Sequence, residues 1–269
     1  ATSSASSRGW RSAGGRVSES SRRAWVQGAV GLAVWGALAA LADVGEALAQ
    51  TDPRRRAWWR AFARLCVDAR HGSAAPTAWQ RDVEAVFREA SAPWLMASLP
   101  TARFEAGARA WPRRGPRVEE LAAPTGLTAR QGAAFHRRLF ALGPGRAVVP
   151  HGHNNLASAF VLLRGGVRVT HFDRRPDGAT RSILTPSIDR EFAPGDCSTV
   201  SDERDNVHWL RAGEGASLLL NVSVEVPPSG RFGAAPTGRV YLDPTGAARA
   251  DGTHVARHLS DAEATARFG

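Results

Sequence analysis

Apolar positions along the chain follow two regimes, and the change between them comes near Arg137. Before it, Trp58, Ala61, Phe62, Leu65 and Cys66 stand at i, i+3, i+4, i+7 and i+8, the spacing of an amphipathic helix over residues 54–70. A second helix is predicted from Trp79, Val83, Val86 and Phe87 on one face, with Thr77 as N-cap and Pro76 and Pro93 marking its ends. Residues 109–116, rich in Pro, Arg and Gly, read as an irregular connection. From Arg137 the apolar runs shorten to Leu139–Leu142, Ala147–Pro150, Ala159–Leu163, Val167–Phe172, Ser182–Leu184, Cys197–Val200, Val207–Leu210 and Leu218–Val226. Between them lie turns such as Gly143-Pro144-Gly145, Gly165-Gly166 and Pro194-Gly195-Asp196. Short runs divided in this way, with no helical period, predict a closed antiparallel barrel or jelly roll over Arg137–Pro227. The helices are expected to pack on it as a small N-terminal addition. Gly238–Pro244 reads as one more strand and turn, and a short helix is expected to begin near Ser260.

The opening of the chain has another pattern. Ser21-Arg22-Arg23-Ala24-Trp25-Val26 is a twin-arginine sequence, followed by an uncharged run from Gly28 to Ala42 and by Ala47-Leu48-Ala49 before Gln50. A basic region, an apolar region and small residues in that order make a signal peptide. The apolar run of 15 residues falls short of the ~18–20 that span a bilayer comfortably; an uncleaved anchor is the other reading. The expected organisation is an export signal at 1–49, a helical and irregular extension at 50–136, the barrel at 137–246 and a tail at 247–269. The mature protein is expected in the periplasm or outside a bacterium, with the twin-arginine translocase as its export partner and no stable membrane span after cleavage.

Composition changes this picture only a little. Hydrophobic residues make up 43% of the chain, enough for a proper core. The formal charge of +10 comes entirely from arginine: none of the 35 basic residues is lysine. These arginines are scattered among acids, as in Ser201-Asp202-Glu203-Arg204-Asp205, and form no stripe with aromatics. Such a pattern describes a solvated basic surface, and nucleic acid is not an expected partner. Cys66 and Cys197 would share an oxidising compartment, either as a disulfide or as two separate buried thiols.

Two short segments carry candidate chemistry. In Pro150-His151-Gly152-His153-Asn154-Asn155 the period of a strand puts both histidines on one face. Adjacent neutral imidazoles need a partner and charged ones repel; a divalent metal answers both. The second segment runs from Pro194-Gly195-Asp196-Cys197 to Asp205-Asn206-Val207-His208, a turn, a strand, a loop and a histidine on a further strand. His151, His153 and His208 are therefore the candidate ligands. Asn155, Asn206 and Asp205 are near enough in sequence to accept an imidazole N–H and fix its orientation. In the last strand Leu218, Leu220, Val222, Val224 and Val226 share one face and Ser217, Asn221, Ser223 and Glu225 the other. That polar face either lines the metal cavity, bringing Asn221 to it, or meets water. His171 shares a face with Val167 and Val169 and reads as a core or rim histidine. Tyr241 reads as an anchoring aromatic or as a donor leaning over the cavity.

Together with Gly145, Gly165-Gly166 and Gly195, these segments resemble the two motifs of the cupin superfamily. The resemblance implies a mainly β fold, a cupin jelly roll or double-stranded β-helix. General cupins place a glutamate ligand four or five positions after His-X-His, where this chain has Ala157 and Ser158. The remaining three-histidine set, with Phe160–Gly165 and Asp205-Asn206-Val207-His208, resembles the thiol dioxygenases of the cysteine and cysteamine type. What that resemblance implies is an Fe(II) cofactor, O2 and a small thiol as partners, and oxidation of the thiol to a sulfinate. Ser158 stands where some cysteine dioxygenases carry the cysteine of a cysteine–tyrosine crosslink, and no arginine matches a carboxylate clamp. Zinc or manganese in a hydrolase, isomerase or lyase, and a non-catalytic ligand-binding barrel, are the competing readings.

Overall fold

The strand Ser217–Glu225 shows how the layers arise, because its two faces bury different things. Leu218, Leu220, Val222 and Val224 enter one apolar cluster, and Leu219 enters another. In the computed structural model, which describes residues 52–101, 104, 112–232 and 235–269, these clusters lie on opposite sides of one sheet. The expected export signal lies outside the described residues.

Three helices begin the described chain: α1 (Pro53–Arg70), α2 (Pro76–Arg88) and α3 (Ala92–Met96). Asp52 caps α1 by accepting from the Arg54 N–H, and Pro53 occupies the first turn, where a missing N–H costs nothing. The start of α2 differs from the expectation. Ala75 is the N-cap and Pro76 begins the helix, so Thr77 lies inside it and its hydroxyl donates to Glu203 instead.

Strand β1 (Arg117–Leu121) and a single helical turn, α4 (Ala129–Gly132), precede the expected barrel. Then follow β2 (His136–Leu142), β3 (Ala147–Asn154), β4 (Leu156–Arg164), β5 (Val167–Pro176), β6 (Arg181–Phe192), β7 (Cys197–Val200), β8 (Val207–Ala212) and β9 (Ser217–Glu225). Beyond them come β10 (Gly238–Asp243), β11 (His254–Leu259) and α5 (Asp261–Phe268), whose N-cap is Ser260. One sheet has the order β1-β2-β9-β4-β7, and the other closes as β10-β11-β6-β5-β8-β3. The fold is thus mainly β, the expected jelly-roll barrel with a small helical addition.

The barrel exceeds the span 137–246 on both sides. Strand β1 pairs with β2, and β11 pairs with both β6 and β10, so part of the presumed tail is barrel wall. Strand β6 also runs on to Phe192, past the three residues its apolar run marked. Its second half is mostly exposed and held by pairing with β5, with a register shift opposite Pro186, which has no N–H to give a ladder.

Three layers result. The helices press Trp59, Phe62, Trp79, Val83 and Phe87 onto the outer face of the first sheet. Phe140, Phe160, Val148, Val169 and Leu210 fill the space between the sheets. Cys66 lies within the helix–sheet cluster and Cys197 packs against it; both are free thiols, held far above the ordinary thiol range by burial. The expectation of two separate thiols is the one this arrangement matches. Among the described residues no helix is long and apolar enough to cross a membrane.

Candidate metal centre

Strand β3 is buried along its whole length, so the partners of its polar side chains have to come from inside the barrel. Its period of two puts His151 and His153 on the inner face. Strand β8 runs antiparallel beside it with His208 directly opposite His151, and β5 sets His171 opposite His208 from the other side. Pro150 lies where the β3–β8 register shifts.

The three ring nitrogens converge. Nε2 of His208 is 3.0 Å from Nε2 of His151 and 3.4 Å from Nε2 of His153. With metal–imidazole bonds of about 2.0–2.1 Å, two such nitrogens stand about 3.0 Å apart at a right angle and about 3.4 Å apart at a tetrahedral one. The spacing therefore fits one metal ion. Tautomers agree for His151: its Nδ1 lies 2.8 Å from the Val149 carbonyl, which can only accept, so Nε2 keeps its lone pair for the centre. Nδ1 of His153 and of His208 has no hydrogen-bond partner among the described residues. Burial, with the Arg239 charge second, pulls His151 down to about 3; burial and neighbouring rings hold His153 and His208 well below the ordinary range. All three are neutral at physiological pH, the form that ligates.

His151 and His153 line a cavity of about 580 Å³. Phe140, Val148, Val149 and Phe160 line its apolar part, and the Phe160 ring meets His208 at 5.2 Å. The polar face of β9 lines the rest through Asn221, Ser223 and Glu225, so that face meets the cavity. Ser158 lines it too, whereas Ala157 points into the helix–sheet core, so of these two positions it is 158 that faces the cavity. The Ser158 hydroxyl donates to the Val222 carbonyl at 3.2 Å and accepts from Asn221 Nδ2 at 2.8 Å.

Tyr241 also faces the cavity, because β10 closes the barrel against β3 with Tyr241 opposite His151 and Arg239 opposite His153. Its ring centre is 5.9 Å from that of His151. Burial and a hydrogen bond to Asp261 raise the phenol above its ordinary range, while its bond with Arg239 acts the other way. Arg239 and Asp261 were not singled out in the sequence, since only barrel closure brings them to the mouth. Arg138, also at the cavity, is already engaged by Glu120 at 2.7 Å and Ser223 at 3.1 Å.

The expected supports of the imidazoles are placed differently. Asn155 takes a left-handed turn (φ 56°); its N–H donates to Asp202 and its amide to Ala235 and Thr237. It is a turn residue and bonds no liganding ring. Asp205, also left-handed (φ 55°), lies 3.9 Å from His171 Nδ1 and receives no N–H from a liganding ring. Asn206 bonds the backbone carbonyl of His153, not its ring. His171 is fully buried against Ser198 Oγ at 2.7 Å and stands outside the converging set, a core histidine as its spacing indicated.

No protein-family model matches this chain, and no curated protein sequence matches it. Among solved structures it is similar to the coconut allergen cocosin (18% identity, 44% of this chain and 28% of that one, TM-score 0.32). It is also similar to a recombinant oxalate oxidase in complex with glycolate (16%, 44% and 55%, TM-score 0.31). A third is an uncharacterised conserved protein with a double-stranded β-helix domain from Klebsiella pneumoniae (12%, 44% and 84%, TM-score 0.30). The chain spans under a third of the cocosin chain and about half of the oxalate oxidase chain.

Proposed function

We propose that this protein is a mononuclear Fe(II) oxygenase that converts a small thiol to a sulfinate, with His151, His153 and His208 holding the metal. The reaction balances as R–SH + O2 → R–SO2H: sulfur loses four electrons, O2 gains them, and both oxygen atoms end on sulfur. The observation that carries the reading is a neutral three-nitrogen set with Ser158 where a carboxylate ligand would stand. Bound there, Fe(II) would supply an undiminished double charge that favours thiolate over thiol and an electron donor for O2. The chain itself keeps the three imidazoles unprotonated, walls them with Phe140 and Phe160, and presents the Arg239–Tyr241–Asp261 group at the mouth.

The test is the metal content of natively matured protein together with O2 uptake on a panel of small thiols. About one iron per chain and thiol-dependent uptake are expected. Zinc or manganese without uptake would give the hydrolase, isomerase or lyase reading, and no metal at all would leave a ligand-binding barrel. His208→Ala should lose most of the metal while circular dichroism shows the barrel intact; a full equivalent retained would sink the ligand assignment. Ser158→Glu should hold metal at least as tightly while thiol-dependent uptake falls, because an added carboxylate cancels charge and takes a coordination position. Undiminished uptake in that variant would count against the three-histidine mechanism. The same proposal places the protein in the periplasm by the twin-arginine route, and retention of the precursor after replacing Arg22 and Arg23 with Lys would support it.

A further inference from the structure

The two histidine segments are far apart in sequence, and one side chain joins them behind the ligands. Nδ2 of Asn206, which is buried, donates to the backbone carbonyl of His153 at 2.8 Å and to that of Ser201 at 3.1 Å. Two carbonyls can only accept, so the amide nitrogen must face them and the orientation of this side chain is fixed. Its Oδ1 then points at Gly152: a Cβ built there would sit 2.6 Å from that oxygen and 3.2 Å from Val207 Cγ2. The residue between the two histidines therefore has to be glycine, for a reason on the neighbouring strand rather than in its own dihedral angles. Arg174, also buried, supplies a second donor to the His153 carbonyl at 3.3 Å and binds Asn154 Oδ1 at 2.6 Å.

From this we infer that Asn206 is a positioning residue: it locks the His153 backbone to the segment bearing His208, setting the spacing of two ring nitrogens before any metal arrives. Arg174 is a second donor to the same carbonyl, and Gly152 leaves room for the Asn206 amide beside it. The inference rests on the metal-binding reading above and concerns residues that do not themselves touch the metal. Groups outside the ligand set that orient it are worth about 10–100-fold in affinity when removed.

Asn206→Asp is the sharpest probe, because it keeps the volume and puts an acceptor against two acceptors. Cobalt(II) alone serves as the reporter, with affinity read by titration and ligand geometry by its visible absorption bands. Asn206→Asp and Gly152→Ala are each expected to weaken cobalt binding about 10–100-fold and to shift those bands. Arg174→Met should weaken it in the same direction. Val83→Ala is the comparison for stability: its side chain is fully buried in the helix–sheet cluster and belongs to neither histidine segment. It should lower the melting temperature while leaving cobalt affinity and bands unchanged. Wild-type affinity and bands in Asn206→Asp would overturn the positioning role alone. Equal losses in Asn206→Asp and Val83→Ala would also overturn it, since general loosening would then explain both. A wild-type protein that binds no cobalt would instead remove the metal reading and this role with it.

Discussion

At the scale of single residues, the cavity sorts side chains by whether their charge is already answered. Arg138 is occupied by Glu120, whereas Arg239 bonds the Tyr241 hydroxyl and stands opposite His153 at the cavity. A guanidinium at the mouth favours an anionic group on whatever enters, since the fork matches a carboxylate. Arg239→Ala is expected to raise KM about tenfold or more for a thiol bearing a carboxylate and to leave KM for an uncharged thiol nearly unchanged. Steady-state O2 uptake on such a pair checks it, and equal changes for both would remove Arg239 from substrate recognition. This residue was out of reach of sequence reasoning, because nothing in Gly238-Arg239-Val240 announces its neighbour on β3. His151 and His153 were legible for the opposite reason: strand period alone puts them side by side. Ser158 needed only the choice between two adjacent positions, which the inward face of β4 makes.

At the scale of elements, the strands that sequence pattern found are those with one or two apolar faces. The second half of β6 and the whole of β11 escaped it. Thr185-Pro186-Ser187 and His254-Val255-Ala256-Arg257-His258 carry little apolar period, and their strand form comes from ladders with neighbours already in place. Turns were easier to read, and Gly165 shows why. It joins β4 to β5 at φ 88°, and a Cβ there would lie 2.5 Å from the Ala216 carbonyl oxygen. Both the dihedral angle and the space exclude a side chain. Gly165→Ala should therefore destabilise the protein by more than about 1–2 kcal/mol, with the midpoint of urea unfolding as the measure. A midpoint within experimental error of wild type would mean that the turn relaxes at no cost.

At the scale of the whole molecule, the barrel keeps four histidines unprotonated, and that has a sign. Burial lowers His151 and His171 to about 3 and His153 and His208 well below their ordinary range. The unfolded chain takes up protons near pH 6.5 while the folded chain does not, so this contribution is whole above about pH 6.5 and is lost as pH falls toward 3. Each histidine contributes a slope of up to about 1.4 kcal/mol per pH unit in that window. Metal-free protein should accordingly show unfolding free energies that fall steeply below pH 6.5, and His171→Asn should flatten the slope without touching a ligand. A pH-independent stability between 6.5 and 4 would mean that these rings are protonated in the folded state.

The closure of β10 against β3 sets an order of events in time. Tyr241 comes about ninety residues after His151, and they become neighbours across one ladder. During synthesis both histidine segments emerge, and can pair through β3 and β8, well before β10 exists. Contacts so distant in sequence form late, after shorter loops have closed. The β3–β8 pairing spans a shorter stretch of chain and can form before the strand carrying Arg239 and Tyr241 is available. Pairing of β10 with β3 then sets Arg239 and Tyr241 beside His153 and His151.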